Sequence, residues 1–351
     1  MNIDHIIIGQ GISGTLLSRA LIKEGKQVVV IDEINAASAS RVASGVINPV
    51  TGMRLVKTWM IDLLLPFAWA TYREIETEFG TSIVDKCNIL GFHPTQEAAL
   101  IFSDKQEIEK EYLERVGYEE KWSSYFRFNY GIGEIEPCLL VNLRALLSAW
   151  RNRLIESNSL LEDRFSWEDC KIEEDGITYK NITAQNIIFC DGATCSVNPY
   201  FDRLPWSKDK GEALIVDIPD LPANNIYKQG INIVPWHNGL FWVGATHDWK
   251  FTDMQPTLKF RQQVEERLNY WLKLPYTIVD HIVAARPVNM DRKPFVGFHP
   301  LHPAVGIFNG MGTKGCSVGP WFAHQFARHL AHGEPISTDV DVNRFSRILS
   351  R

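Results

Sequence analysis

Residues 5–32 read HIIIGQGISGTLLSRALIKEGKQVVVID. The unbroken apolar run Ile6-Ile7-Ile8 predicts a strand buried on both faces, as strands of parallel sheets are. Gly9, Gly11 and Gly14 follow in a G-x-G-x-x-G pattern, and the helical run TLLSRALIKEG ends at Gly25. A second apolar strand closes on Asp32, 23 residues after Gly9. Strand, glycines, helix, strand and acid in this order are the parts of a dinucleotide-binding unit. Gly9 permits the tight turn, Gly11 lets backbone N–H groups approach a pyrophosphate, and Gly14 lets helix and strand pack closely. The helix start supplies positive potential for the phosphates. Asp32 is placed to accept hydrogen bonds from ribose hydroxyls, and the absence of an arginine directly after it disfavours a 2′-phosphate.

Outward from this unit, the small residues Ser38, Ala39, Ser40, Ala43, Ser44 and Gly45 would let backbone lie against an extended ligand. The other reading is a flexible Ser/Ala surface loop. Arg54 and Lys57 follow, three residues apart. Further on, VNLRALLSAWRNRLIE (141–156) has helical periodicity, CKIEEDGITYKN predicts a hairpin around Asp175-Gly176, and NIIFCDG (186–192) returns to the first sheet. Three runs rich in β-branched and aromatic residues, at 210–218, 230–236 and 239–249, predict an antiparallel sheet in a second domain. A helical run over 256–274 then precedes a return to the first domain near Val279. The expected fold is therefore α/β: a Rossmann-like dinucleotide-binding domain from 1–50, 137–205 and 279–351, and a discontinuous α+β substrate domain from 51–136 and 206–278. A second glycine-rich stretch, NGMGTKGCSVGP at 309–320, leads into a final helix.

The 351 residues are 45% hydrophobic and 22% charged, ordinary for a soluble globular protein. A net charge of −6 gives no electrostatic footprint for nucleic acid. The six cysteines show no CxxC pair or metal-type spacing. With no basic, signal-like N-terminal segment and no membrane span, the expectation is reduced thiols in a cytoplasmic protein. The histidines form no metal-binding pattern, so no metal is expected. Eleven tryptophans suit either ordinary core filling or a walled cavity; Trp236, Trp242 and Trp249 are the candidates for the wall. His247 either lines that cavity or belongs to a turn hydrogen-bonded through Asp248.

Four blocks together resemble a known family: the fingerprint with Asp32, the loop SASRVASGVINP, the strand and turn NIIFCDGATCS, and AARPVNMDRKPFVGF followed by FNGMGTKGCSVGPWFAHQFARHL. The chain looks like an FAD-dependent oxidoreductase of the D-amino-acid oxidase group, which includes glycine and sarcosine oxidases. It is also similar to the FAD domain of the bifunctional enzyme that modifies wobble uridine in tRNA. The resemblance implies FAD as cofactor. Contacts near the dinucleotide end would come from Gly9, Gly11, Ile12, Ser13, Gly14, Asp32 and Glu33. The loop would add Ser40, Arg41, Ala43, Ser44, Gly45 and Val46, and further along the chain Phe165, Asp191 and Gly192 would join them. At the flavin, Gly310 and Gly312 would belong to the binding loop, and Thr313, Lys314, Gly315 and Cys316 would present backbone N–H groups to the C2 carbonyl. Cys316 does not match the cysteine that carries covalent flavin in some relatives, so the FAD is expected to be non-covalent.

The implied activity is oxidation of the C–N bond of a small amino acid or secondary amine. The alternatives are oxidation of an amine on a macromolecule such as tRNA, and flavin binding without amine chemistry. The acidic charge and the lack of a methyltransferase domain argue against the tRNA reading. By resemblance Arg286 would pair with the substrate carboxylate, because a guanidinium forms a two-pronged fork that lysine cannot copy; the other reading is a structural salt bridge. Arg54 and Lys57 would be catalytic cations beside the flavin; the other reading is two solvated cations on a helix face. Asn232, Trp236 and His247 are the candidate substrate-binding residues. Two departures stand out: Asn232 occupies the place of a tyrosine in glycine-oxidase-like members, and Ser317 that of a lysine in sarcosine oxidases.

Overall fold

Asn2–Ile8 is the buried strand expected from its apolar run, and the strands on both sides run parallel to it. The computed structural model describes every residue except Tyr118, Glu174 and Asp175. On one side lie Val28–Ile31 and then Leu160–Leu161; on the other lie Ile182–Phe189 and then His302–Asn309. Two antiparallel additions complete this first sheet. The hairpin Cys170–Glu173/Gly176–Tyr179 pairs onto Ile182–Phe189, and Phe295–His299 pairs onto His302–Asn309. Of the expected turn, Gly176 pairs with Glu173, while Asp175 lies outside the described residues.

The parallel strands end on one edge of the sheet, where Gly9, Asp32, Asp191 and the loop from Gly310 follow directly. A crevice at the carboxyl ends of parallel strands is where open α/β sheets bind ligands. The helices Ile12–Lys23 and Gly315–His332 pack against each other beside this edge. Their approach depends on Gly319, where a Cβ would lie 2.7 Å from Leu16 Cδ1. Both glycine-rich stretches thus start helices that converge on one crevice.

The second sheet has the strand order Thr277–Asn289, Trp206–Asp217, Phe241–Gly244, Ile231–Pro235, Ile226–Gln229, Ile89–Phe92, Ile132–Ile135, Leu113–Arg115. It is antiparallel as expected, except that Ile226–Gln229 runs parallel to Ile89–Phe92. Thr277–Asn289 pairs along its length with Trp206–Asp217, so the chain stays in this sheet well past residue 279. It re-enters the first sheet only at Phe295–His299. Alternation divides the faces: Gly211 and Ala213 line the crevice, while Glu212 turns away to accept hydrogen bonds from the N–H (2.7 Å) and hydroxyl (2.9 Å) of Thr257. Four of the eleven tryptophans are fully core, Trp122, Trp150, Trp242 and Trp271; the last stacks on Phe126 at 4.6 Å. Full burial of a large apolar side chain contributes roughly 1.5–3 kcal/mol. Among the described residues no helix is long and apolar enough to cross a membrane.

His5 is an oddity of the first strand: it is 2% exposed and neither ring nitrogen has a hydrogen-bond partner. Burial pushes its pKa down from 6.5 to about 4. Above pH 6.5 the ring is neutral in both folded and unfolded chains. Between 6.5 and 4 the unfolded chain takes up a proton that the folded one refuses, so stability falls as the medium is acidified. His5→Leu should therefore flatten the loss of melting temperature between pH 7 and pH 5 in calorimetry. Parallel losses in variant and parent would clear His5 of the effect.

Candidate cofactor and active site

A cavity of about 980 Å³ runs from Asp32 along the edge of the first sheet and under the crevice face of the second. That is near the upper end of the roughly 300–1,000 Å³ usual for ligand sites.

At the dinucleotide end Asp32 is fixed from two directions. The Gln10 N–H donates to Oδ1 at 2.8 Å, and Arg151 Nη1 donates to Oδ2 at 2.7 Å. Arg151 comes from the helix Leu143–Glu156, which Asn142 caps by accepting the Ala145 N–H at 3.0 Å. Its other nitrogen, Nη2, holds Glu162 at 2.9 Å. The carboxylate is thus oriented before any ligand arrives and keeps lone pairs for a ribose. Ser40 reaches over the first helix and accepts the Ile12 N–H at 3.0 Å. Trp242 ties the small-residue loop to the second sheet, its Nε1–H donating to the Val42 carbonyl at 3.0 Å. This loop is an ordered wall of the cavity, not a free surface segment.

At the far end Gly312 donates its N–H to the Pro287 carbonyl at 3.0 Å, which fixes the late glycine loop to the strand carrying Arg286. The helix Gly315–His332 begins there, with Lys314 at its N-cap. Pro320 has no N–H for the Cys316 carbonyl four residues back. The buried hydroxyl of Tyr72 donates to that carbonyl instead, at 2.8 Å. The Lys314 ammonium lies in the cavity wall and donates to Asn48 Oδ1 at 3.2 Å. Desolvation, with the positive charge of Lys228 nearby, pushes its pKa down to about 8. Asp191 accepts from Asn309 Nδ2 at 3.1 Å, and loss of solvent raises its pKa to about 7.

Arg286 lies on the second sheet, opposite Asp209 in register. Its Nη1 donates to Asp209 Oδ2 at 2.7 Å and to the Thr246 carbonyl at 3.0 Å. His247 Nδ1 donates to the same Asp209 oxygen at 2.7 Å. The guanidinium lies flat on Gly211, where a Cβ would meet Nη2 at 2.0 Å. One prong of the fork is committed to a fully buried carboxylate, while Nη2 and Nε have no hydrogen-bond partner among the described residues.

Most of the site residues expected from sequence line this cavity, including Asn232, His247 and Arg286. Six do not. Arg54 and Lys57 sit on the small hairpin Val50–Thr51/Val56–Lys57, exposed; Lys57 pairs with Asp62 at 2.8 Å. They do not line the cavity, although Thr51 and Gly52 of the same hairpin do, and they are not on a helix. Trp236 lies tilted against His237 at 4.9 Å outside the cavity, and the exposed Trp249 stacks on the half-exposed His247 at 6.2 Å. Gly14 and Gly310 do not line it either. Gly14 abuts the carbonyl of Gly9 and serves the helix–strand contact, and Gly310 turns the chain with φ +75°. Sequence reading did not single out Arg151, Asp209, Asn309 or Lys228. The signal for Lys228 is a lone cation between the buried Tyr227 and Gln229 of a short strand.

The model of the FAD-dependent oxidoreductases abbreviated DAO matches residues 4–329. The chain belongs to this family of FAD-dependent oxidoreductases. It is similar in structure to glycine oxidase from Geobacillus kaustophilus, with a TM-score of 0.80 at 18% identity over 98% of each chain. Iminodiacetate oxidase from Chelativorans sp. BNC1 gives 0.76 at 20% identity, again over 98% of each chain. L-proline dehydrogenase from P. horikoshii gives 0.77 at 18% identity over 99% of this chain and 98% of the other.

The cavity fits FAD on its own terms. Two helix starts, at Ile12 and Gly315, lie side by side on the wall of one elongated space. At Gly45 (φ +82°) a Cβ would lie 2.0 Å from the Val141 carbonyl, so the backbone there is pressed too close for a side chain. Asp32 stands oriented at the dinucleotide end. Among the described residues no group of His, Cys, Asp and Glu is arranged to hold a metal ion.

Proposed function

We propose that the chain oxidises the C–N bond of a small amino acid or secondary amine, with the substrate carboxylate held on Arg286. The observation that carries this reading is the half-committed guanidinium. Asp209 and Thr246 fix one prong, and the partnerless Nη2 and Nε remain for an anion in the cavity. When bound, FAD supplies the hydride acceptor, at flavin N5. Gly9, Gly11 and the start of the first helix would hold its pyrophosphate, and Asp32 its ribose. The N–H groups of Gly315 and Cys316 would face the pyrimidine edge, where a helix start stabilises negative charge. In this division the first sheet carries the cofactor and the second the substrate.

The chain's own work is then positional. Arg286 anchors the substrate by a charge-assisted fork, which fixes the distance of the α-carbon from the acceptor. Asp209 and His247 orient the arginine. Asn232, on the crevice face, donates its Nδ2–H to the Gly244 carbonyl at 3.3 Å and leaves its Oδ1 for a substrate N–H. The test is anaerobic mixing of the FAD-loaded protein with a panel of amino acids and secondary amines. The oxidised flavin band should bleach with at least one of them. Persistence of the band with every amine would overturn the reading.

A further inference from the structure

Lys228 has no part in that scheme. It lines the cavity from the strand Ile226–Gln229, is largely withdrawn from water, and has neither a hydrogen-bond nor an ion-pair partner among the described residues. The ladder puts it on the same face as Arg286. Lys228 pairs with Asn232, Asn232 with Gly244, Gly244 with Ala213 and Ala213 with Ile282, two alternate positions from Arg286. The surface between the two cations carries only small side chains at Asn232, Gly244, Ala213 and Gly211. A ligand can therefore lie across it. The guanidinium rests on Gly211, three strands from Lys228, roughly 14 Å across the sheet at about 4.8 Å per spacing, and the lysine stem covers part of that gap.

Lys314 approaches the same region from the first sheet, and the two ammonium groups lie near enough for the charge of Lys228 to lower the pKa of Lys314. No acid of the cavity wall balances them. Asp32, Glu33 and Asp163 lie at the dinucleotide end, Asp191 is engaged by Asn309, and Glu212 turns its carboxylate to Thr257. The FAD phosphates would sit at the first glycine cluster, on the first sheet, whereas Lys228 is on the second. Two desolvated cations facing a cavity without a counter-charge make an anion site.

We propose that the substrate is an amine bearing two anionic groups, its α-carboxylate on Arg286 and a second, remote carboxylate on Lys228 with Lys314 behind it. The inference rests on the amine-oxidising reading for the placement at Arg286, and it excludes glycine-sized molecules as preferred substrates because they cannot span both cations.

The test uses the FAD-loaded protein and two unreactive probes of equal chain length, glutarate and valerate. Their binding is read by calorimetry and by the perturbation of the flavin absorption band. Glutarate should bind at least tenfold more tightly than valerate. Lys228→Met should bring that preference to within twofold of unity, and Lys228→Arg should keep it. A parent protein without the preference, or a Lys228→Met variant that retains it, would overturn the proposal. So would a Lys228→Met variant that shifts only the flavin potential, since the lysine would then serve the cofactor. Bleaching by amines without a glutarate preference defeats this proposal alone, whereas no bleaching by any amine defeats the underlying reading.

Discussion

Replacing Arg286 by leucine is expected to remove turnover with every amine while FAD stays bound. Truncating one partner of a buried, hydrogen-bonded charge pair costs about 2–5 kcal/mol, or about 30- to several-thousand-fold in kcat/KM. The cofactor's expected contacts lie elsewhere on the cavity wall, so FAD content should match that of the parent. The same substitution has a structural cost, because Asp209 is fully buried and would keep only His247 as a charged or polar partner. Orphaning a buried charge destabilises by about 3–5 kcal/mol. Arg286→Lys separates the two effects. The ammonium restores a charge beside Asp209 but offers no planar fork, so stability should largely recover while kcat/KM does not. Melting temperature, flavin absorbance and anaerobic reduction rate, measured on both variants, read the three quantities independently. Normal reduction rates in a soluble, FAD-loaded Arg286→Leu protein would remove the arginine from the substrate site.

The dinucleotide half of the site was legible in sequence because its requirements are local. A buried strand, a turn, a helix start and an acid at the end of the next strand fall within one continuous stretch, and each constrains residue type directly. The late glycine loop was legible for the same reason, although its link to the Arg286 strand through Gly312 is long-range. Where Arg54 and Lys57 lie was not legible, because two cations three residues apart fit a helix face as well as a site. Their hairpin depends on the pairing of Val50–Thr51 with Val56–Lys57, which neither short segment announces. Asp209 was hidden for another reason. Nothing local marks it, and only the register of the Trp206–Asp217 ladder sets it opposite Arg286, 77 residues away in sequence. Lys228 depends on a four-residue strand, too short for its alternation to stand out. The late return of the chain to the first sheet follows the same logic, since Thr277–Asn289 is held in the second sheet by its partner strand.

Gly14→Ala should abolish FAD binding. The added Cβ would sit 1.8 Å from the Gly9 carbonyl oxygen and 3.0 Å from its carbon, both backbone atoms. Gly9 cannot yield: its N–H donates to the Ile31 carbonyl at 2.8 Å, and on its other side the Cys190 carbonyl is close. The first helix would have to lift off the strand, carrying its N-terminal N–H groups away from the pyrophosphate position and breaking its contact with the helix Gly315–His332. The loss should exceed about 4 kcal/mol, a size reached only by the severest single substitutions. Gly25→Ala, at the other end of the same helix, is the control. Unlike Gly14 it has a positive φ (+76°), and nothing lies within 4 Å of the added carbon. Its cost is the left-handed backbone alone, about 1–2 kcal/mol, so the protein should purify with flavin bound. Flavin absorbance per chain and urea unfolding of the two variants give the comparison. If Gly14→Ala were as yellow and as stable as Gly25→Ala, the glycine would not be holding the helix against the strand, and the first glycine cluster would lose its role as the phosphate cradle.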